Sequence, residues 1–508
     1  MSSSDRYCAG VAAGHGETAR AAHLVLSEGG NAFDAAIAGF LTACVAEPVL
    51  ASLGGGGFLV ARTAEGNVEV FDFFTDTPLQ RPRQADVDFH PVHADFGAVL
   101  QEFHIGMGAV ATPGAVAGIY AVHESLGRLP MTALAEPARE LAKQGIVMDP
   151  FQAYLLDVVG PIYRASASAR TLFCKSGAAS APLLAAGDVY HPAVFADFLD
   201  AMCAEGPGLF YRGEVAREIA AMDGATIGLN DLARYRVQRR KPLQSRIGAH
   251  DIFLNPPPAI GGAMIDYMLR ALDDAGLTKK EFAGPRHVEA LIAAMDACNH
   301  ARAESGIDTD PMQGAARLRD ASTHPPAYRG TTHISVADAD GNMAALTVSN
   351  GEGCGHIVPG TGIMLNNMLG EEDLNAAGFF NWPQGVRLSS MMTPSVLASP
   401  DGSWTAFGSG GSNRIRSALT QVIANLCVFG KSVDEAVRHS RLHLEGGKLS
   451  LEPGLDVVAG QWPGDVHRWP DTNMFFGGAH VIHRTPEGRV TGAGDPRRDG
   501  IFLGLYSI

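Results

Sequence analysis

One stretch near the middle of the chain most restricts how the chain can fold. From Thr331 onward polar and apolar residues alternate, a polar Asp-Ala-Asp-Gly segment interrupts them, and an apolar run ends at Val348. Alternation with a period of two indicates a half-buried β-strand, and two strands around a short polar turn indicate a β-hairpin. If the turn is centred on residues 339–341, strand pairing brings Ser349 beside Thr331. The sequence therefore predicts two neighbouring hydroxyl groups at the start of a strand that follows Gly330.

Two such hydroxyl groups after a glycine fit the chemistry of autoproteolysis. The Thr331 hydroxyl can attack the unhindered carbonyl of Gly330, and an N-to-O acyl shift followed by hydrolysis then frees Thr331 as a new N-terminus. The freed α-amine, with an ordinary pKa of about 8, can serve as general base for the hydroxyl of its own residue. Threonine-rich strands are common, so the spacing alone more readily indicates an ordinary strand start.

Composition limits the classes of partner and the cellular location. The chain has 508 residues, 46% of them hydrophobic, and a net charge of -15, which argues against nucleic acid or an anionic membrane as partner. The seven cysteines are scattered without a Cys-x-x-Cys spacing, which predicts reduced thiols and no zinc site. No apolar segment typical of a signal peptide follows the first residues, and we expect a cytoplasmic protein.

Several short motifs follow one another in a fixed order along the chain. They are Thr331–Val336, the Asp338–Asn342 turn, Gly362–Asn367, Leu388–Met391 and Gly410–Ser412. Together they resemble the γ-glutamyltranspeptidase family of N-terminal nucleophile hydrolases, and the resemblance runs from Gly14 to about Arg498.

The resemblance implies an α+β fold in the form of a four-layer αββα sandwich. The irregular alternation of strands and helices along the chain also favours such a sandwich over a barrel. The family pattern divides the chain into a large segment, 1–330, and a small segment, 331–508, which associate after cleavage to build one intertwined domain. Residues 301–328 are polar and contain prolines, so we expect them to form a loop at the end of the large segment.

The resemblance also assigns the chemical roles. Thr331 is the nucleophile, and Ser349 stands where the family usually has a threonine that hydrogen-bonds the nucleophile. Backbone N–H groups of Gly410 and Gly411 form the oxyanion hole. Without the resemblance, the two glycines would be interpreted as an ordinary turn capped by Ser412.

Two further sets of residues are implied to bind the substrate. Ser389 and Ser390 match the serine pair that binds the carboxylate of the γ-glutamyl group. Asp373, or Glu372 if the loop aligns differently, matches the acid that pairs with the α-ammonium group. An alternative interpretation is that these acids belong to a solvated turn.

The sequence departs from the family pattern at three positions. Phe74 replaces an arginine that grips the substrate α-carboxylate, Gly351 replaces a substrate-binding asparagine, and Met368 replaces a glutamine. A benzene ring cannot make the bidentate contact of a guanidinium group with a carboxylate. Either another cation, such as Arg387, supplies the missing charge, or the substrate lacks a free α-carboxylate.

The function that these observations predict is that of an autoprocessing γ-glutamyltransferase-like amide hydrolase and acyltransferase. It would cleave γ-glutamyl amides such as glutathione through an acyl-threonine intermediate, which water or an amino compound then resolves, with no metal or organic cofactor. One alternative is a related amidohydrolase for a non-glutamyl acyl amide. Another, of a different class, is an unprocessed scaffold or binding protein without catalytic activity.

Overall fold

The computed structural model describes residues 7–95, 100–317, 330–375, 377–455 and 462–506, with the backbone alone described at positions 95, 100, 303, 316, 317 and 373. The strands are β1 (Tyr7–Ala13), β2 (Gly56–Arg62), β3 (Val68–Phe73), β4 (His90–Asp95), β5 (Leu100–Ile105), β6 (Ile146–Val147), β7 (Val189–Tyr190), β8 (Gln238–Arg240), β9 (Leu243–Ile247), β10 (His250–Leu254), β11 (Thr332–Ala337), β12 (Met343–Ser349), β13 (Ser395–Ala398), β14 (Trp404–Gly410), β15 (Leu442–Glu445), β16 (Lys448–Leu451), β17 (Val466–Arg468), β18 (Gly478–Arg484), β19 (Val490–Ala493) and β20 (Ile501–Tyr506). The helices are α1 (Gly16–Ser27), α2 (Ala32–Ala46), α3 (Ala115–Leu126), α4 (Met131–Gln144), α5 (Pro150–Val158), α6 (Gly160–Tyr163), α7 (Ala167–Phe173), α8 (Ala193–Glu205), α9 (Gly208–Tyr211), α10 (Glu214–Ala221), α11 (Leu229–Arg234), α12 (Gly261–Asp274), α13 (Pro285–Glu304), α14 (Pro311–Arg317), α15 (Arg414–Cys427) and α16 (Val433–Arg438).

Two antiparallel sheets are stacked face to face at the centre of the molecule. The first has the order β20-β1-β11-β12-β2-β3-β8 and the second the order β19-β18-β14-β13-β10-β9. An apolar cluster that includes Val60, Ala345 and Ile482 fills the space between the two sheets. Helices α1, α2 and α3 cover the outer face of the first sheet, and α12 and α15 cover the second. The predicted four-layer αββα sandwich of the α+β class is confirmed.

Both halves of the chain contribute strands to both sheets. In the first sheet, β11, β12 and β20 come from beyond residue 330 and lie among strands from before it. In the second, β9 and β10 come from the first half and the remaining strands from the second half. The parts of the chain before and after residue 330 therefore share both sheets, while the division into two segments of one intertwined domain stays a prediction.

The hairpin predicted from the sequence is formed by β11 and β12. Thr332 pairs with Val348 in the antiparallel register. The Asp338 carboxylate closes the turn, because its Oδ1 accepts hydrogen bonds from the N–H groups of Gly341 at 2.9 Å and Asn342 at 2.8 Å. This hairpin lies at the centre of the first sheet.

The expectation that this strand is half-buried is wrong, because every residue of β11 is buried. Its apolar face packs on helices of the first layer, and its polar face packs against the second sheet. His333 is satisfied there by Thr347 Oγ1 at 2.7 Å and Ser335 Oγ at 2.8 Å. Alternating polarity therefore marks the inner surface of a sandwich in this case.

The expected loop over 301–328 is also wrong in part. Helix α13 continues to Glu304 and α14 covers Pro311–Arg317, while residues 318–329 lie outside the described part of the chain. The polar side chains misled the prediction because some of them are paired inside the protein. The Arg302 guanidinium is buried and pairs with the Asp308 carboxylate at 2.9 Å.

Candidate active site

Thr331 and Ser349 meet where the hairpin strands β11 and β12 begin and end. Both are buried, at 2% and 4% exposure. The Ser349 hydroxyl donates a hydrogen bond of 2.6 Å to the carbonyl oxygen of Gly330. This is the carbonyl that the Thr331 hydroxyl would attack, and a donor placed there stabilises the negative charge that develops on the oxygen. The two predicted hydroxyl groups are therefore brought together.

Gly330 is also held at its N–H group, by a residue that the sequence analysis missed. The N–H group of Gly330 donates a 2.6 Å hydrogen bond to Oε1 of Glu352. The backbone N–H of Glu352 donates in turn to Asn367 Oδ1 at 2.9 Å. Gly351 makes this possible, because its positive φ of 62° turns the chain back over the strand start.

Gly410 packs against the backbone of the nucleophile candidate, and Gly411 follows it in the same turn. A Cβ atom on Gly410 would be 2.3 Å from the carbonyl oxygen of Thr331, so only glycine allows this close approach. Gly411 has a φ of 123°, which favours glycine. The backbone of this turn can thus approach an oxyanion at Thr331, and the donor role of its N–H groups stays a prediction.

Ser412 does not cap the helix that follows the glycines. The N-cap residue of α15 is Asn413, and no side chain makes a capping hydrogen bond there. Ser412 has an unusual φ of 53° and is 2% exposed, and its hydroxyl has no hydrogen-bond partner within the described ranges. A strained, buried residue whose hydroxyl is unpaired is a candidate for contact with substrate.

Arg498 contacts Thr331 from the side of the second sheet. Its Nη1 donates to the carbonyl oxygen of Thr331 at 3.3 Å. Burial and the nearby Arg414 lower the pKa of this guanidinium to about 10, so it remains charged at neutral pH. The sequence analysis did not identify Arg498, because its separation of 167 residues from Thr331 gives no pattern.

A narrow cavity of about 10 Å³, roughly the space of one water molecule, lies between these elements. Its lining consists of Phe74, Thr331, Ser349, Met368, Ser390, Met391, Met392, Ser412 and Ile415. None of these nine side chains carries a charge, and five are aromatic, aliphatic or thioether groups. Of the predicted serine pair, Ser390 lines the cavity, whereas Ser389 is half-buried outside the lining.

The structure argues against Arg387 as the substitute for the missing arginine. The guanidinium of Arg387 pairs with the carboxylates of Asp72 and Asp76, the latter at 2.6 Å, and donates to the carbonyl of Arg236 at 2.9 Å. Its side chain is 7% exposed and does not line the cavity. Arg387 therefore does not replace the arginine lost at Phe74.

Of the two acids predicted to bind an ammonium group, only Glu372 has a described side chain. Glu372 is exposed, and the side chain of Asp373 lies outside the described residues, so both assignments stay predictions. A third acid, Glu371, is 2% exposed and lies directly behind Gly351, where a Cβ would collide with it. Glu371 is thus a buried acid close to the hairpin end, and the sequence analysis passed over it in favour of its two neighbours.

The described ranges provide neither a metal site nor a membrane-spanning helix. They hold no group of three or more His, Cys, Asp or Glu side chains arranged for a metal ion. The same ranges contain no helix with the length and apolar character needed to cross a bilayer. All seven cysteines are free thiols.

An αββα sandwich with a threonine at the start of a central strand is the architecture of the N-terminal nucleophile hydrolases. The fold agrees with this class: a cephalosporin acylase structure from Bacillus halodurans superposes with a TM-score of 0.79, 23% identity and coverage of 99% of this chain and 97% of that one. The model of the Gamma-glutamyltranspeptidase family matches residues 18–321 and 307–505. The chain belongs to this family of N-terminal nucleophile enzymes, and the predicted family and enzyme class are confirmed.

Named relatives of different specificity are about equally similar to the chain. The glutathione hydrolase proenzyme of Escherichia coli (strain K12) is 28% identical over 93% of this chain and 87% of its own length. The acylase ACY 1 proenzyme of Pseudomonas sp. (strain SE83) is 28% identical over 96% of this chain and 92% of its own. Overall identity thus does not distinguish a glutathione hydrolase from an acylase.

Proposed function

We propose that the chain cleaves itself between Gly330 and Thr331 and that the freed Thr331 is the nucleophile of an amide hydrolase and acyltransferase. The observation that carries this proposal is the 2.6 Å hydrogen bond from Ser349 Oγ to the carbonyl oxygen of Gly330. This hydroxyl supports the oxyanion when Thr331 Oγ attacks the carbonyl carbon. The C–N bond then breaks, the nitrogen takes a proton, and water hydrolyses the resulting ester to leave a Gly330 carboxylate.

The mature site would use the new α-amine as its base. The amine takes the proton of Thr331 Oγ as this oxygen attacks the amide carbonyl of the substrate, and it returns the proton to the departing amine. The backbone of Gly410 and Gly411 stabilises the tetrahedral oxyanion. Water or an amino compound then attacks the acyl-threonine ester and releases the acyl group. Thr331→Ala is expected to abolish both self-cleavage and turnover.

For the acyl group, γ-glutamyl amides such as glutathione are the first candidate. Membership of the family supports this choice. Ser390 in the cavity lining supplies a hydroxyl for an acyl head group, and the buried Glu371 supplies a carboxylate near Gly351 for an ammonium group. The predicted roles of Ser389, Glu372 and Asp373 are part of the same proposal.

A second candidate, an acyl amide without a free α-carboxylate, is favoured by the cavity itself. A carboxylate buried without a cation is strongly disfavoured, and the lining offers Phe74 and methionines in place of one. Arg387 is already paired with two aspartates. Methionine side chains are flexible and adapt to apolar acyl chains of different shape.

One comparison of substrates separates the two candidates. The mature enzyme is assayed with a γ-glutamyl anilide, with the anilide of the same acyl chain lacking the α-carboxylate, and with a simple acyl anilide. A kcat/KM highest for the γ-glutamyl compound supports the first candidate, and a preference for either compound without the carboxylate supports the second. Phe74→Arg is expected to shift the preference toward the γ-glutamyl anilide. No turnover of any amide by a correctly cleaved enzyme would contradict the proposed function.

Two further proposals concern assembly and location. We expect the cleaved segments to remain associated, since strands of both segments are hydrogen-bonded to each other within both sheets. A single species containing both fragments in native mass spectrometry would support this. The cytoplasmic location stays a prediction that cell fractionation tests.

A further inference from the structure

Glu352 occupies a position that the proposed reaction does not yet use. Its side chain is buried, with 3% of the residue exposed, and its carboxylate accepts the N–H of Gly330 at 2.6 Å. Gly330 is the residue whose carbonyl is attacked, and it belongs to the segment that separates from Thr331. The partner of this buried carboxylate therefore changes when the chain is cleaved.

Cleavage alters the charges around Glu352 in two ways. Hydrolysis converts the neutral Gly330–Thr331 amide into a carboxylate on Gly330 and an amine on Thr331. The new carboxylate forms beside the carboxylate of Glu352, and the repulsion between like charges favours departure of Gly330. The new amine is attracted, because an amine donates hydrogen bonds and its protonated form is positive.

The distances allow Glu352 to change partners with little movement. Consecutive backbone nitrogens are separated by about 3 Å, as the standard bond lengths and angles of the chain require. The nitrogen of Thr331 thus lies about one hydrogen-bond length from the nitrogen that Glu352 now holds. At its other end, Thr331 is fixed through its carbonyl by Arg498 at 3.3 Å.

We propose that Glu352 acts twice: it clamps Gly330 in the uncut chain, and after cleavage it accepts a hydrogen bond from the α-amine of Thr331. It is a positioning residue, because it holds the base in place and does not touch the substrate. The proposal rests on self-cleavage at Gly330. In its second role Glu352 also tunes the base, since a neighbouring negative charge stabilises the ammonium form.

Other charged and titratable groups face this residue from the surrounding elements. Tyr163 of α6 and Arg498 interact electrostatically with Glu352 itself. Glu47 at the end of α2, Glu371 behind Gly351, Arg414 at the start of α15 and His480 of β18 belong to the same part of the site. Burial raises the pKa of Tyr163 far above its usual value and lowers the pKa of His480 to about 4, so both are neutral at pH 7. The cation of Arg498 favours the neutral amine and the anion of Glu352 favours the ammonium. Removing the anion is therefore expected to lower the pKa of the amine.

The test compares Glu352→Gln with Glu352→Asp. Both variants disturb the geometry of the clamp, but only glutamine removes the charge. We expect both to self-cleave at least about tenfold more slowly than the wild type, measured by fragment formation over time. In the matured proteins, the acid limb of the pH profile of kcat/KM reports the pKa of the free enzyme's base. We expect this limb to move to lower pH by about one unit for glutamine and by less for aspartate.

Each outcome decides between distinct explanations. An acid limb of the kcat/KM profile identical to that of the wild type in matured Glu352→Gln would show that Glu352 does not act on the α-amine. Self-cleavage of this variant at the wild-type rate would show that Glu352 does not clamp Gly330 in the uncut chain. If Glu352→Gln stays uncut, the matured Glu352→Asp protein decides between the explanations. Displacement of the acid limb of its kcat/KM profile to lower pH supports the proposal, and an unchanged acid limb overturns it. A wild-type chain that never cleaves itself would instead contradict the proposed function.

Discussion

Gly330 lies in a space that admits no side chain. A Cβ atom at this position would be 2.7 Å from the carbonyl oxygen of Gly351 and 2.9 Å from that of Val49. Both neighbours are backbone atoms, which yield less readily than a side chain. The requirement for glycine before the nucleophile thus arises from the walls of the site as well as from the chemistry of attack.

Replacing this glycine is expected to slow self-cleavage. In Gly330→Ala the added methyl group pushes the scissile carbonyl away from the Ser349 hydroxyl, and overpacking of about 1–3 kcal/mol corresponds to a rate roughly 5- to 160-fold lower. A time course of fragment formation on denaturing gels measures the effect. Gly208→Ala is the matched control, since a Cβ there has no atom within 4 Å. Cleavage of Gly330→Ala at the wild-type rate would show that the backbone around Gly351 and Val49 moves to accommodate the methyl group.

Ser412 gives a second prediction for a single residue. Its hydroxyl lines the cavity and lacks a partner among the described residues, so Ser412→Ala should lower kcat/KM by about 10- to 100-fold through loss of a contact to the reacting group. Alanine retains the Cβ atom, so the backbone strain at φ 53° is unchanged. The melting temperature should therefore stay within about 2 °C of the wild type. A variant with normal kinetics would exclude a role for the hydroxyl.

The sequence revealed those site residues that lie in short motifs. Thr331 and Ser349 follow from hairpin register, and Gly410 and Ser390 from ordered motifs. Glu352, Glu371 and Arg498 were missed because their positions depend on turns and on packing between distant segments, which no local spacing encodes. The acceptors of Arg387 could not be assigned from sequence either, since its aspartate partners lie more than 300 residues away.

At the scale of elements, helix α15 begins directly after the Gly410–Gly411 turn and is anchored by buried charges. Arg416 of α15 pairs with Glu445 of β15 at 3.2 Å, and His443 contacts the same carboxylate at 3.2 Å. Burial alone would raise the pKa of Glu445, but the hydrogen bond with His443 and the charge of Arg416 lower it to about 2. The carboxylate is therefore ionised and holds α15 in place.

Glu445→Ala should destabilise the folded chain substantially. The variant leaves the buried guanidinium of Arg416 without its carboxylate, and breaking a buried ion pair from one side typically costs about 3–5 kcal/mol. Urea unfolding of the uncut Thr331→Ala chain with and without the change measures the difference. Glu136→Ala, in an exposed pair with Arg139, is the control and should cost less than about 1 kcal/mol. Equal midpoints for the two variants would contradict this account of the anchor.

The β11–β12 hairpin has a strong local pattern and was predicted well. Helix α2 also begins at a clear local signal, because Asn31 caps it through a reciprocal pair of hydrogen bonds with Asp34. Helices α13 and α14 were misjudged over 301–317 because polar side chains that are paired inside the protein resemble those of a solvated loop. The periodicity of polar and apolar residues identifies the faces of a helix or strand, but it does not show whether water or another part of the protein covers each face.

At the scale of the whole molecule, the space between the two sheets holds neutral histidines. Burial, together with the nearby His480, lowers the pKa of His333 well below its usual value. Burial also lowers the pKa of His480 to about 4. These groups cannot take up protons in the folded protein at mildly acidic pH, whereas the unfolded chain binds protons below pH 6.5.

The stability of the chain should therefore fall with decreasing pH. The contribution is fully present above pH 6.5 and is lost between pH 6.5 and about 4, and a shift of this size corresponds to roughly 3 kcal/mol for His480. Urea unfolding of uncut Thr331→Ala at pH 7.5, 6 and 5 measures the effect without dissociation of fragments. A midpoint that stays constant over this range would contradict it.

The stacking of two sheets could be anticipated from the resemblance but not from periodicity alone. Polar alternation in β11 indicated a solvent-facing side, and only the second sheet, which pairs strands from both halves of the chain, shows why that side is buried. The choice of acyl group also depends on this long-range assembly, because the cavity collects residues from positions 74 to 415.

Intact mass spectrometry of the purified wild-type protein, beside Thr331→Ala, shows directly whether the chain cleaves itself before Thr331. We expect two wild-type fragments, residues 1–330 and 331–508, of roughly 35 and 19 kDa by their shares of the 53.4 kDa total, with threonine as the first residue of the smaller one. The variant should remain a single chain. A wild-type protein that stays whole on prolonged storage, or a variant that still cuts itself at residue 330, would contradict the assignment of Thr331 as an autocatalytically released nucleophile.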